Sequence, residues 1–167
     1  MIKGVKSQLS SQFEMKDLGV ANFILGIEII GDCMNIKYWL NQRKYVDMIL
    51  QRFRMQDCKP VNTPIPVGFK LSAEQCPKTQ EDIEDMSHVP YVSAVGSLMY
   101  AMVCSRPDIA HVVGVVSRYM SNPGKEHWTI VKRIFRYLRG TSDFGIYYQG
   151  RPSQNRIVYV QGFVDAD

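Results

Sequence analysis

The chain is 167 residues long, 46% apolar and 22% charged, with a formal charge of +4. That length can bury a real core, as one ordinary domain or as pieces of two, and the composition excludes an intrinsically disordered protein. The longest uncharged apolar-rich run, 89–105, is too short and too polar for a membrane span, and the N-terminus has no apolar signal-peptide core, so an intracellular protein with no membrane partner is expected.

Ile2, Val5, Leu9 and Phe13 recur at helical spacing and predict a short amphipathic helix over 2–14. The runs "NFILGIEII" and "MNIKYWL" are β-prone and read as a hairpin with Gly31-Asp32 at its turn. Gly26 interrupts the first run, as glycines do at a bulge or where another backbone comes close. Asn41 can cap a helix through about Arg54 whose apolar face is Tyr45, Val46, Ile49, Leu50 and Phe53, with Arg43 and Lys44 outside. "CKPVNTPIPVG" is kept extended by its prolines. Residues 72–88 are polar and acidic and read as a mobile surface loop.

Three successive helices are predicted after Pro90. The first, about 90–103, is rich in small residues that let another helix approach. The second starts at "SRPD", where Ser105 and Asp108 have capping-box spacing and Pro107 suits a first turn. The third runs from about Pro123 to Arg139, with Gly140 as its stop. Two β-like runs follow, "FGIYYQ" and "RIVYVQGFV", and the second leads into "DAD".

Cys33, Cys58, Cys76 and Cys104 are far apart, as are His88, His111 and His127, so no zinc-ligand spacing is present. Charge is unevenly placed. From Arg118 to Arg139 there are six basic residues against Glu126 alone, and from Glu74 to Asp85 five acids against Lys78 alone. At 100° per residue, Lys125, Lys132, Arg136 and Arg139 form one stripe about 20 Å long, with Trp128, Val131, Ile134, Phe135 and Leu138 a quarter-turn away. The aromatic residues are therefore core, not stacking platforms. The stripe is either a solvated face or a track for several phosphates of a polyanion.

"VPYVSAVGSLMYAMVCSRPDIAHVVGVVSRYMSNPGKEHWTIVKRIFRYLRGTSDFGIYY" closely resembles the Pol polyprotein of copia-type LTR retrotransposons. "FEMKDLGVANFILGIEI", "LNQRKYVDMILQRFRMQDCKPVNTPI" and the terminal "GFVDAD" do so too, in the family's order and over nearly the whole chain. The resemblance implies a fragment of a reverse transcriptase followed by RNase H. In that frame 1–41 resembles a palm remnant, with the last palm helix and the hairpin that holds the primer's 3′ end. Gly26 then lies near a nucleic-acid strand. Residues 42–141 resemble the thumb and connection, and 142–167 the start of RNase H, with Asp165 in the place of its first metal-binding carboxylate.

Two-metal polymerisation needs carboxylates around Mg²⁺. In the family these include a Tyr-x-Asp-Asp turn just upstream of the matched region, and this sequence has no such turn. Of the RNase H acids only Asp165, and Asp167 beside it, are present, too few to hold a Mg²⁺ pair. Asp165 is thus expected to be catalytic, and a Mg²⁺ ligand, in the complete parent enzyme and idle here, with no cofactor in the fragment.

The expected function is positioning of a primer–template, an RNA–DNA or DNA duplex. Its backbone contacts would come from Arg43, Lys44, Lys125, Lys132, Arg136 and Arg139, together with the missing palm and RNase H segments as partners. The resemblance places such a protein in a cytoplasmic retroelement particle. The alternative is a non-enzymatic protein–protein module docking through the small-residue helix at 90–103. The expected architecture is α+β and mostly helical: an N-terminal helix and hairpin, a helical middle, and a C-terminal β-hairpin.

Overall fold

In the computed structural model, residues 2–16, 19–32 and 34–150 are described. The chain is α+β. Its elements in order are α1 (Ile2–Gln12), β1 (Phe23–Ile24), β2 (Ile27–Asp32), β3 (Lys37–Asn41), α2 (Arg43–Arg52), α3 (Gln80–Ser87), α4 (Tyr91–Cys104), α5 (Ala110–Ser117), α6 (Lys125–Gly140) and β4 (Gly145–Gln149). The strands form one antiparallel sheet in the order β1-β2-β3-β4.

The core lies among α2, α4, α5 and α6. Val46, Ile49 and Leu50 pack with Val95, Leu98, Val113, Val116, Val131, Ile134, Phe135 and Leu138, all buried. Each such side chain taken from water contributes about 1.5–3 kcal/mol. Val131, Ile134, Phe135 and Leu138 are the apolar stripe expected of the last helix, and Val46, Ile49 and Leu50 that of the helix after Asn41. On α4 the small residues Ala94, Ser97 and Ala101 face inward and are buried. The small-residue feature is used within the chain's own bundle.

The β-turns differ from expectation. Gly31 and Asp32 lie inside β2, opposite Tyr38 and Lys37. The Asp32 carboxylate accepts hydrogen bonds from the backbone N–H groups of Met34 and Asn35, both at 3.1 Å, and from the Asn35 amide at 2.6 Å. That side-chain-to-backbone turn moves the reversal past the glycine. Gly31 instead leaves room for the Tyr38 ring, whose Cε1 lies 3.0 Å from where a Cβ would stand. Gly26 marks no bulge. Leu25 and Gly26 are the two-residue loop between β1 and β2, with φ of 50° and 80°. Positive φ at both positions is the hairpin turn that matches strand twist, and it gives Gly26 a local reason.

β4 pairs with β3, so the run expected to begin the last segment shares a sheet with the N-terminal hairpin. Its expected partner strand within 156–164 lies outside the described residues.

Residues 72–88 are not a loop. A short 3-10 turn, Ala73–Gln75, is followed by α3, capped by Thr79, whose hydroxyl accepts from the Asp82 N–H at 3.2 Å and donates to the Asp82 carboxylate at 2.7 Å. Met86 is buried beneath it. A cap and one buried anchor outweigh the polar composition. The SRPD segment likewise departs from a capping box. Ser105 is buried and donates to Gln42 Oε1 at 2.7 Å, Asp108 is taken by Arg106, and a 3-10 turn at Pro107–Ile109 leads into α5. Nor does Gly140 stop α6. The helix includes it, and a Cβ there would stand 3.1 Å from Pro60, so glycine serves a close approach.

Candidate nucleic-acid interface

Asn41 joins the sheet to the bundle. Its side-chain oxygen accepts the Arg43 N–H at 2.5 Å, and its amide donates to the Asp143 carbonyl at 2.7 Å. The first turn of α2 is thereby fixed beside the sheet, and it carries Arg43 and Lys44 outward, both exposed. The Lys44 ammonium sits 5.2 Å from the centre of the Phe23 ring on β1. Tyr45 packs near Gly26, and the Tyr100 hydroxyl donates to the Leu25 carbonyl. Gly26, Arg43 and Lys44 are thus brought together at one end of the hairpin.

The stripe on α6 is differently employed. Lys125 forms ion pairs with Asp85 at 2.9 Å and Asp82 at 3.4 Å, both on α3. The hydrogen bonds and charge of Asp85 and Asp82 raise the Lys125 pKa. Arg136 Nε donates to the Lys59 carbonyl at 2.7 Å, and Arg139 donates to the Cys58 carbonyl. Arg133, outside the stripe, donates to Thr63 Oγ1 at 3.0 Å. Three arginines therefore strap the extended 58–63 segment along α6. Backbone carbonyls held out of helix and sheet need donors, and guanidinium groups supply them. Lys132 is half-buried, and its side chain makes no hydrogen bond or ion pair among the described residues. Asp165 lies outside the described residues. Among those described, no group of three or more His, Cys, Asp or Glu side chains could hold a metal ion.

Sequence reasoning passed over Arg106, the largest fully buried side chain. Its Nε and Nη2 grip Asp108 at 3.0 and 2.7 Å, while Nη1 and Nη2 donate to the Thr141 carbonyl and hydroxyl at 2.8 and 2.6 Å. The Tyr137 hydroxyl donates to Asp108 at 2.9 Å. Burial would raise the Asp108 pKa, but the Arg106 hydrogen bonds and charge outweigh it and hold the carboxyl below its ordinary value. This knot ties the end of α6 to the turn before α5. The one signal in the sequence was the spacing Arg-Pro-Asp, two opposite charges flanking a proline.

Residues 1–67 match the family described as Reverse transcriptase (RNA-dependent DNA polymerase). The retrovirus-related Pol polyprotein from transposon TNT 1-94 of Nicotiana tabacum is 52% identical over 167 residues, covering all of this chain and 12% of that polyprotein. The chain belongs to the copia-type retrotransposon Pol family. The corresponding polyprotein from transposon RE2 of Arabidopsis thaliana is 32% identical across the whole chain, which covers 11% of it. An uncharacterised mitochondrial protein of Arabidopsis thaliana is 37% identical over 160 residues, 96% of this chain and 61% of that protein. This chain therefore corresponds to a small segment of the retroelement Pol polyproteins it matches. No solved structure matches it. No helix among the described residues is long and apolar enough to cross a membrane.

Proposed function

We propose that this Pol segment helps hold a primer–template duplex and leaves the nucleotidyl and hydrolytic chemistry to other parts of the polyprotein. The supporting observation is the pair Arg43 and Lys44, exposed at the start of α2 and seated against the β1–β2 hairpin through the contact of Lys44 with Phe23. Cations placed next to a hairpin by a buried asparagine hinge suit a phosphate backbone, which rewards fixed positive charge with counterion release. Lys132 adds a further cation on α6. Lys125, Arg136 and Arg139 contribute mainly by shaping the bundle, because each is tied to it by a hydrogen bond or ion pair.

Any magnesium chemistry belongs to the complete polyprotein, where Asp165 would be one ligand among several. Filter binding of an RNA–DNA hybrid by the 167-residue chain tests the reading. Changing Arg43→Gln and Lys44→Gln together is expected to weaken binding about tenfold or more at low salt. Hybrid affinity that is unchanged in this variant would remove the idea.

A further inference from the structure

We propose that Thr63 is a phosphorylation site: a proline-directed protein kinase modifies its hydroxyl, and Arg133 then holds the phosphate and fastens the 58–63 segment to α6. The proposal does not depend on the chain's holding a duplex.

Thr63-Pro64 is the only Thr-Pro or Ser-Pro pair in the sequence. A proline directly after the acceptor biases it to extended backbone, the form in which a kinase cleft takes up its substrate. Residues 59–65 lie outside helix and sheet and make no backbone–backbone hydrogen bond among the described residues. A kinase can therefore engage this stretch without breaking a ladder. Val61 and Ile65 pack against the core, while Asn62 and Thr63 between them are exposed. The acceptor is shown to solvent between two anchors.

The receptor for the phosphate is already beside it. Thr63 Oγ1 accepts from Arg133 Nη2 at 3.0 Å, in a bond open to solvent. Arg133 Nε is buried and has no hydrogen-bond partner among the described residues, so the guanidinium has a donor left over. A hydroxyl cannot use a guanidinium fork, whereas a phosphate accepts two parallel N–H bonds from it. Arg136 and Arg139 are tied to the carbonyls of Lys59 and Cys58, so of the three strapping arginines Arg133 alone meets a side chain that can be modified. Charge favours the product as well. Segments 58–73 and 127–142 together carry Lys59, Lys70, Lys132, Arg133, Arg136 and Arg139 and no Asp or Glu. A phosphate brings about two negative charges to this acid-free meeting of segments, and opposite arginine such a group orders the chain.

In the transfer, Thr63 Oγ attacks the γ-phosphorus of ATP and the new O–P bond forms. The bond from that phosphorus to the bridging oxygen breaks, ADP leaves with the electron pair, and the hydroxyl proton goes to the kinase's base.

Incubation of the full chain with a mitogen-activated protein kinase and Mg-ATP, followed by peptide mass mapping and urea unfolding, tests this. One phosphoryl group per chain is expected, on Thr63, and none on Thr63→Ala or Pro64→Ala. The phosphorylated chain should unfold at a urea midpoint higher by about 0.3–1 M than the unmodified one. Arg133→Gln should still be phosphorylated on Thr63 but lose that gain. Circular dichroism checks that this variant is folded, and Arg133→Lys, which keeps the charge without the fork and should keep only part of the gain, serves if it is not. The proposal is overturned if Thr63 in the folded chain stays unmodified. It is equally overturned if phosphorylation leaves the midpoint unchanged or lowers it, or if the Arg133 variant gains as much as the parent.

Discussion

Arg106 and Asp108 form a two-pronged ion pair with unequal exposure: the guanidinium side chain is 1% exposed and the carboxylate 33%. Removing either partner therefore has a different cost. Asp108→Asn strands a buried positive charge and is expected to destabilise the fold by about 3–5 kcal/mol. Arg106→Met leaves a carboxylate that already meets water, and should cost less, about 2 kcal/mol. Urea midpoints of the two variants check the order. A larger loss for Arg106→Met would show that the pair does not work as described.

His127 gives the bundle a pH dependence. The ring is buried, stacks on Tyr119, accepts the Gly124 N–H at Nδ1 at 2.8 Å, and so presents its Nε2 proton to the Ser72 carbonyl at 3.3 Å. Burial lowers its pKa from 6.5, opposed by the Ser72 bond and the Glu126 charge. Below pH 6.5 the unfolded chain then binds protons that the folded chain resists. Stability from this group is complete above about pH 6.5 and is lost as pH falls through the depressed folded value. Thermal midpoints at pH 7.5 and 5.5 should drop for the parent and change less for His127→Gln. Asp82, paired with Lys125, does not share that window, since hydrogen bonding from Thr79 and then Lys125 lowers its pKa.

Leu25 is the wrong residue for its turn. It has φ of 50° and is 81% exposed, at a position where a two-residue hairpin loop prefers asparagine. Leu25→Asn is expected to stabilise the chain by about 0.5–1 kcal/mol, because asparagine tolerates the left-handed region and no buried contact is lost. Tyr100 bonds the backbone carbonyl there, so its hydrogen bond survives the change. A lowered urea midpoint would contradict this account of the turn.

The helices of the bundle were legible because each buries a periodic stripe, and Val131, Ile134, Phe135 and Leu138 show how directly that pattern becomes core. What the sequence hid depended on partners distant along the chain. The 72–88 segment looked unstructured because its anchors, Met86 and the Lys125 ion pairs, offer no local periodicity. The turn at Asp32 was misplaced because an aspartate side chain moved it beyond the glycine. On α6 the basic stripe was read correctly as a stripe, yet its use was not visible. The carbonyls of Cys58 and Lys59 that take up Arg139 and Arg136 lie about 80 residues earlier, at separations of 81 and 77.

The central claim is a division of labour among the cations: Arg136 and Arg139 hold the 58–63 segment against α6, whereas Arg43 and Lys44 are free to meet a phosphate backbone. Hybrid affinity measured against salt concentration tests it most directly, comparing the parent chain with an Arg43→Gln, Lys44→Gln pair and an Arg136→Gln, Arg139→Gln pair. The account predicts that the first pair lowers the salt slope by nearly two and leaves the urea midpoint in place. The second should lower the urea midpoint with little change in slope. The reverse assignment, slope lost with Arg136 and Arg139 and stability lost with Arg43 and Lys44, would contradict it.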